Sequence, residues 1–210
     1  QGPPGSGKTE AVIEAGRRLN LELGNSAHPL QMRLIHVNSS NINAGVLGES
    51  EQRLKSVFNE GKRNTNDIVK TIILFDDIDS LLTARDDPDA KEWTRSLNGV
   101  FFHELDTLIT TKTMVIATTN LPERIDPAVR SRLAMRDAPA PTLEEMKTVA
   151  KSSLPIRGAK GKTQAQLLEF TGKSIEAALE GGEPASFRLA RQTAIEIVLE
   201  HVTGWKKEGF

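Results

Sequence analysis

The sequence contains no cysteine and no tyrosine. The absence of cysteine excludes disulfide bonds, zinc knuckles built on thiolates, and thiol nucleophiles. The four histidines, His28, His36, His103 and His201, lie far apart and lack the short spacings that metal ligands usually show. Aromatic residues make up only 4% of the chain, so stacking platforms for single-stranded nucleic acid are sparse.

The chain also lacks an excess of charge of one sign and a long hydrophobic run. Its 27 basic and 28 acidic residues nearly cancel, which argues against a chain-wide basic surface and a nucleic-acid partner. No apolar run approaches the roughly 18 residues of a membrane span, and no signal-peptide pattern is visible. We therefore expect a cytoplasmic protein with no membrane partner. The 38% of hydrophobic residues among 210 are enough for one large domain or two unequal ones.

The most specific pattern lies at the start of the chain. Residues 2–9 fit G-x-x-x-x-G-K-[ST], the Walker A pattern, in which glycine backbone N–H groups wrap a phosphate chain. Lys8 can reach the β and γ phosphates, and the Thr9 hydroxyl can bind Mg²⁺. Helical spacing over residues 10–21 directs a helix N-terminus at the phosphates. The candidate ATP-binding residues are Gly2, Pro3, Pro4, Gly5, Ser6, Gly7, Lys8, Thr9 and Glu10.

A P-loop follows a buried strand, and here the motif begins one residue after the chain does. We therefore expect the first strand of the core to lie upstream of Gln1.

The remaining pattern predicts two domains. Apolar runs at 34–38, 71–75 and 114–118 predict strands, and the segments 51–62 and 97–108 between them predict helices. This alternation predicts an α/β fold, with a parallel sheet covered by helices on both faces, over residues 1–140. A proline-containing connector at 138–141 is followed only by predicted helices, at 143–153, 163–179 and 185–201. Residues 141–210 are therefore expected to form a small helical domain.

Acidic residues follow the second predicted strand directly. Residues 72–75 are apolar, and Asp76 and Asp77 come next, as in the Walker B pattern. Asp76 is expected to hold Mg²⁺, and Asp77 is placed to polarise the attacking water. Asn120 follows the next strand, where it can orient that water or simply form a turn before Leu121.

The order of these motifs resembles the AAA+ ATPases of the classical AAA type. Residues 2–9 resemble their P-loop, and residues 74–80 resemble their D-E-I-D segment, with Asp77 where glutamate is usual. Asn120 matches their sensor 1, within residues 120–128 that resemble the second region of homology. The resemblance implies a P-loop core with a helical lid, ATP with Mg²⁺ as ligands, and assembly into a ring, usually a hexamer.

The same resemblance assigns three arginines. The second region of homology leads to arginine fingers in this family, and Arg132 and Arg130 are the candidates. An arginine supplied by a neighbouring subunit stabilises charge that develops on the transferred phosphoryl group. The alternative for each is an ordinary exposed charge. Arg188 lies where sensor 2 is found, at the start of a lid helix.

Shorter matches indicate a branch of the family. Residues 80–85, 123–126 and 131–134 look similar to the pachytene-checkpoint remodellers that act on HORMA-domain proteins, a branch with bacterial members. The region 44–51 resembles the central-pore loop, but Val46 stands at the usual aromatic position. Val46 and Leu47 can either wedge against a peptide or pack within their own loop.

Three functions remain open on the sequence alone. The leading hypothesis is an ATP-driven remodeller of protein partners, HORMA-domain proteins among them. The second is an AAA+ protein that acts on DNA, such as a helicase loader or clamp loader. The third is a nucleotide-dependent switch or scaffold that hydrolyses ATP poorly, which the shorter Asp77 and the missing pore aromatic favour.

Overall fold

The computed structural model describes residues 1–25, 30–42, 48–63, 67–82, 92–154 and 162–203. Its strands are β1 (Gln31–Asn38), β2 (Val69–Asp76) and β3 (Thr113–Ala117). Its α-helices are α1 (Lys8–Gly24), α2 (Glu49–Lys62), α3 (Glu92–Asp106), α4 (Pro127–Arg130), α5 (Leu143–Ser153), α6 (Lys162–Glu180) and α7 (Phe187–Thr203). Single 3₁₀ turns lie at Ser39–Asn41, Ile78–Ser80 and Pro122–Arg124. None of the helices in these ranges is both long enough and apolar enough to cross a membrane.

The chain divides into two compact units. The first contains Gln1–Gly2 and Lys8–Asp137, and the second contains Pro3–Gly7 and Ala138–Phe210. The division falls after Asp137. The sequence predicts a domain boundary nearby, at residue 140. The grouping of residues 3–7 with the C-terminal helices is a tertiary feature that no local pattern in the sequence reveals.

A three-stranded parallel sheet in the order β1-β2-β3 forms the centre of the first unit. Residues 72–75 of β2 are at most 4% exposed, as expected for a central parallel strand that is covered on both faces. The predicted α/β class with a parallel sheet is therefore confirmed. Each strand runs beyond the apolar run that predicted it, except β3, which is displaced by one residue to 113–117.

Opposite faces of the sheet carry different helices. Ile73 and Phe75 join a core with residues of α2 and α3, in which the rings of Phe58, Phe75 and Phe101 lie 5.4–5.7 Å apart between centroids. Because side chains alternate along a strand, Leu74 and Asp76 project from the other face. Thr9 of α1 bonds to Asp76, so the start of α1 lies on that face.

The outer edge of β1 is partly closed by a side chain of α1. The Asn20 amide donates from Nδ2 to the Met32 carbonyl oxygen at 2.9 Å, and its Oδ1 accepts from the Met32 N–H at 2.8 Å. Two backbone groups that β2 does not use are thereby satisfied.

Helices α5, α6 and α7 form the second unit around a separate small core. Thr142 and Glu145 form a capping box at the start of α5, which fixes where that helix begins. Helix α7 begins at Phe187, two residues later than its apolar pattern predicts, because the Ser186 hydroxyl accepts from the Leu189 N–H at 3.1 Å as a cap. The buried core residues are Met146, Ala150, Leu154, Ile175, Ala190 and Ala194.

We predict that two glycines on helices differ sharply in their tolerance of alanine. A Cβ on Gly61 of α2 would lie 2.5 Å from Cδ1 of the fully buried Ile73, whereas a Cβ on Gly99 of α3 meets no atom within 4 Å. Gly61→Ala should therefore have a free energy of unfolding about 1–3 kcal/mol lower than that of Gly99→Ala, because the added methyl group overpacks the core. Gly99→Ala should raise the free energy of unfolding by about 0.5–1 kcal/mol. Urea denaturation of both variants measures the difference, and equal stabilities would contradict the close packing of α2 on β2.

Candidate nucleotide-binding site

One carboxylate collects hydroxyl donors at the carboxyl end of the sheet. Asp76, the last residue of β2, accepts hydrogen bonds at Oδ1 from the Thr9 and Thr118 hydroxyls, each at 2.5 Å. Its other oxygen, Oδ2, lies 3.7 Å from His36 Nε2 on β1. The start of α1, the strand β1 and the segment that follows β3 therefore meet at one side chain at the end of β2.

The surroundings of Asp76 favour its ionised form. Partial burial raises the pKa of this carboxyl, but the hydrogen bonds from Thr118 and Thr9 and the nearby His36 imidazole outweigh it. The net pKa lies below its ordinary value, so Asp76 is an anion at neutral pH.

A second chain of contacts joins lysine, amide and carboxylate. Lys8 Nζ donates to the Asn120 Oδ1 at 2.7 Å and to the Gly2 carbonyl oxygen at 2.8 Å. The Asn120 Nδ2 donates to the Asp77 Oδ1 at 3.1 Å. Burial lowers the pKa of Lys8, and the charges of Asp77, Asp76 and Asp79 offset part of this effect. Asn120 thus links a cation to the exposed acid that follows the strand.

Asp77 has a strained backbone. Its φ of 51° and ψ of 55° are left-handed, a conformation that residues other than glycine seldom adopt. The Thr118 hydroxyl accepts from the Asp77 N–H at 3.1 Å, and the Asp77 carbonyl oxygen accepts from the Ser80 N–H at 3.0 Å. These bonds hold the turn in which Asp77 is exposed. Such strain is typical of functional positions.

Three residues of this arrangement were not identified from the sequence. Thr118 and Thr119 are 3% exposed and bond to Asp76 and Asp79, respectively, each at 2.5 Å. The available signal is the run of polar residues after an apolar strand, but the apolar pattern places Thr118 within the predicted strand at 114–118. His36 carried no signal, because the register that brings it near Asp76 is not visible in the sequence.

The rest of the glycine-rich segment lies in the second unit. Gly5 and Gly7 have φ values of 74° and 83°, which a side chain would strain. The Phe187 N–H donates to the Gly5 carbonyl oxygen at 2.8 Å, and a Cβ on Gly5 would lie 2.7 Å from Ser186 Cβ. Arg188 is the next residue of α7, and its side chain is exposed. The first turn of α7 therefore holds the loop at residues 3–7.

The two finger candidates differ in what they contact. The Arg132 guanidinium forms a two-point ion pair with Asp106 at 3.0 and 3.3 Å, donates to the Ala128 carbonyl oxygen at 3.1 Å, and lies 4.9 Å from the Phe102 ring centroid. The Asp106 hydrogen bond raises the pKa of Arg132. Arg130 is exposed at the end of α4.

The other predicted positions add little to the geometry. Pro3, Pro4 and Glu10 are exposed, and Ser6 is buried with its N–H donating to the Pro3 carbonyl oxygen at 3.3 Å. The candidate pore residues Val46 and Leu47 lie outside the described residues.

Comparison with known proteins identifies the family. The family model described as "ATPase family associated with various cellular activities (AAA)" matches residues 1–138. The chain belongs to the AAA family.

Curated AAA relatives share the sequence at moderate identity. The chain is 27% identical over 186 residues to spastin of Ixodes scapularis, covering 84% of this chain and 26% of that protein. It is 34% identical over 130 residues to the cell division cycle protein 48 homologue of Archaeoglobus fulgidus, covering 61% of this chain and 16% of that protein. It therefore spans about a quarter or less of the length of these relatives.

A solved structure has a similar fold. A chain in the E. coli MS115-1 HORMA:CdnC:Trip13 complex superposes with a TM-score of 0.62 at 19% identity, covering 93% of this chain and 72% of that chain. At this identity the likeness concerns the fold of the AAA chain.

The oxygen donors fit the magnesium ion that AAA proteins use with ATP. The Thr9 hydroxyl and the ionised Asp76 carboxylate lie in contact, and hard oxygen ligands of this kind suit Mg²⁺. The residues that would hold the ion are thus Thr9 and Asp76.

We predict that Thr118→Val raises the pKa of Asp76, because it removes a hydroxyl that bonds to the ionised carboxylate. Thr119→Val is the matched control, since its hydroxyl bonds to Asp79 instead. Carbon-13 NMR titration of the Asp76 carboxyl measures both. Because the folded pKa is depressed, Asp76 stabilises the fold above its ordinary pKa, and this stability is lost as the pH falls through the folded value. An unchanged titration in Thr118→Val would contradict the assigned hydrogen bond.

Proposed function

We propose that this AAA chain binds ATP with Mg²⁺ and hydrolyses it to ADP and phosphate, as part of a ring that remodels protein partners. The observation that carries the proposal is the meeting of Thr9 with Asp76, and of Lys8 with Asn120 and Asp77, in one unit at the carboxyl end of one sheet. Ligands bind at this edge in open α/β sheets.

The ammonium group of Lys8 is positioned to bind an anionic ligand. It donates to the Asn120 side-chain oxygen and to the Gly2 carbonyl oxygen. Burial makes the charged form costly, and the nearby carboxylates, Asp77 first, offset part of that cost. Phosphate oxygens would add further negative charge beside the ammonium, which favours their binding. Mg²⁺ held by Thr9 and Asp76 would neutralise charge on the β and γ phosphate oxygens.

Asp77 is proposed to take the proton of the attacking water. Its carboxylate is exposed and is held from one side by the Asn120 amide, which can also orient the water. Asp77 is one methylene shorter than the glutamate usual at this position. A displacement of about 1 Å can cost about a hundredfold in rate, so we expect slow basal hydrolysis.

The ring completes the site through an arginine of the neighbouring subunit. Arg132 is the leading candidate, and its release from Asp106 is compatible with this role because the ion pair is solvent-exposed and therefore screened. Arg130, two residues earlier and exposed, is the second candidate. We propose a hexamer, as is usual among AAA proteins.

Arg188 is proposed to contact the nucleotide from the lid. It directly follows Phe187, whose N–H holds the glycine-rich loop. A guanidinium there suits phosphate oxygens.

The proposed substrate is a protein, with HORMA-domain proteins as the leading class. Support comes from the short motifs of the pachytene-checkpoint branch and from the fold shared with a chain of a HORMA:CdnC:Trip13 complex.

A second candidate function is a nucleotide-dependent switch that binds ATP and hydrolyses it poorly. The short carboxylate of Asp77 favours it.

We predict that Asp77→Asn lowers ATP turnover by about 10²-fold or more while ATP affinity stays within a few fold, since a general base contributes roughly 10²–10⁴. The exposed Glu123→Gln is the control and should retain the parent rate. Turnover of the parent protein with and without a HORMA-domain partner separates the two candidate functions. Turnover that stays very low when the partner is present supports the switch. Equal turnover in Asp77→Asn and the parent would remove Asp77 from the catalytic role.

A subunit-mixing experiment tests the ring. Arg132→Ala subunits, which lack the finger, and Lys8→Ala subunits, which lack phosphate binding, should each be inactive, and their mixture should regain activity. Restored turnover needs an intact P-loop that faces an intact finger on a neighbour. The same mixture with Arg130→Ala tests the second candidate. If ATP turnover per subunit stays constant when the protein is diluted to monomers, the active site is not shared between subunits.

A further inference from the structure

The histidine on β1 lies beside the metal-binding carboxylate. In the parallel register His36 pairs with Leu74 and Asn38 pairs with Asp76, so His36 and Asp76 are diagonal neighbours on one face of the sheet. The separation of 3.7 Å between His36 Nε2 and Asp76 Oδ2 exceeds the 2.7–3.2 Å of a normal N–H···O hydrogen bond.

The two oxygens of Asp76 have different neighbours. Oδ1 receives the Thr9 and Thr118 hydroxyls, and Oδ2 is the oxygen that faces the imidazole. The Asn38 side chain, which is level with Asp76 in the register, uses its Oδ1 to accept from the Ser40 N–H and hydroxyl at 3.1 and 2.7 Å. His36 is therefore the β1 side chain recorded beside Oδ2.

One metal ion can bond to both atoms. Bonds of the length that zinc makes, about 2.0–2.1 Å to an imidazole nitrogen and about 2.0–2.2 Å to a carboxylate oxygen, sum to more than the 3.7 Å between these atoms, so an ion of similar size fits between them at a bent angle. Imidazole is a poor ligand for Mg²⁺, and its affinity for first-row transition metals rises from Mn²⁺ through Co²⁺. The His36 ring is 42% exposed, which leaves it accessible.

We propose that His36 Nε2 is a ligand for a divalent transition metal bound at Asp76, so that this site accepts Mn²⁺ or Co²⁺ through one nitrogen ligand in addition to Mg²⁺ through oxygen alone. The inference rests on the proposed function in taking Asp76 as the carboxylate of the nucleotide-associated metal. No group of three or more His, Cys, Asp or Glu suited to a metal occurs in the described part of the chain, so the Thr9 hydroxyl, phosphate oxygens and water would complete the coordination.

The contribution of nitrogen should differ among ions. Affinity for nitrogen donors rises from Mn²⁺ to Co²⁺ and is least for Mg²⁺. His36→Leu should therefore weaken Co²⁺ binding to the ADP-bound protein by about tenfold or more, weaken Mn²⁺ binding by a smaller factor, and leave Mg²⁺ binding unchanged. A role of His36 in folding alone would shift all three affinities together.

The deciding test is pulsed electron paramagnetic resonance on the full chain with Mn²⁺ and ADP. The wild-type protein should show nitrogen coupling that changes from the ¹⁴N to the ¹⁵N pattern when histidine is labelled with ¹⁵N. His36→Leu should lose this coupling, and the exposed His103→Leu should keep it. If His36→Leu fails to fold, His36→Gln is the second variant and should likewise lose this coupling.

Calorimetry of Mg²⁺–ADP binding separates the two hypotheses. Nucleotide binding without histidine nitrogen coupling in the wild-type Mn²⁺ complex overturns the His36 assignment and leaves the proposed function standing. Absence of nucleotide binding overturns the proposed function instead. In that case, coupling between Mn²⁺ and ¹⁵N-histidine in the absence of nucleotide, if it is lost in His36→Leu, still supports His36 as a metal ligand.

Discussion

The ionised carboxylate of Asp76 is the interaction on which the site depends. Two hydroxyls from different parts of the chain, Thr9 and Thr118, donate to one of its oxygens. An anion at this point needs such donors, since a partly buried charge is costly without them. The start of α1 and the segment after β3 are thereby fixed to the end of β2. The residues that would bind a metal are thus also the residues that hold the three segments together.

The adjacent residues Asp76 and Asp77 differ in backbone conformation, and this difference gives their carboxylates different surroundings. Asp76 completes the strand and faces inward to its hydroxyl donors, whereas Asp77 adopts a left-handed conformation and exposes its carboxylate. In an extended strand, successive side chains simply alternate between two faces. The left-handed residue ends that alternation and separates the acid that would bind a metal from an acid that is exposed to solvent. Thr118 serves both, since its hydroxyl donates to Asp76 and accepts from the Asp77 N–H.

The features that could be predicted from the sequence are those that short motifs and local apolar patterns encode. The Walker segments, the alternation of strands and helices, and Asn120 after the third strand follow from apolar periodicity and short motifs. Contacts that depend on register could not be predicted in this way. His36 lies near Asp76 only because β1 pairs with β2 at one alignment out of several. From the sequence, Arg132 is a candidate arginine finger with no visible partner in its own chain. In the fold it forms an ion pair with Asp106, which is 26 residues away.

The contact between Asn20 and Met32 has a consequence for how the molecule behaves among its copies. An edge strand offers a row of unpaired backbone groups on which a foreign strand can build, which leads to aggregation. The Asn20 amide presents one donor and one acceptor to Met32, as the backbone of an adjacent strand would. An incoming strand would have to displace it before pairing along that part of β1. A single helical side chain thus hinders strand addition at Met32 when many copies of the chain are crowded together.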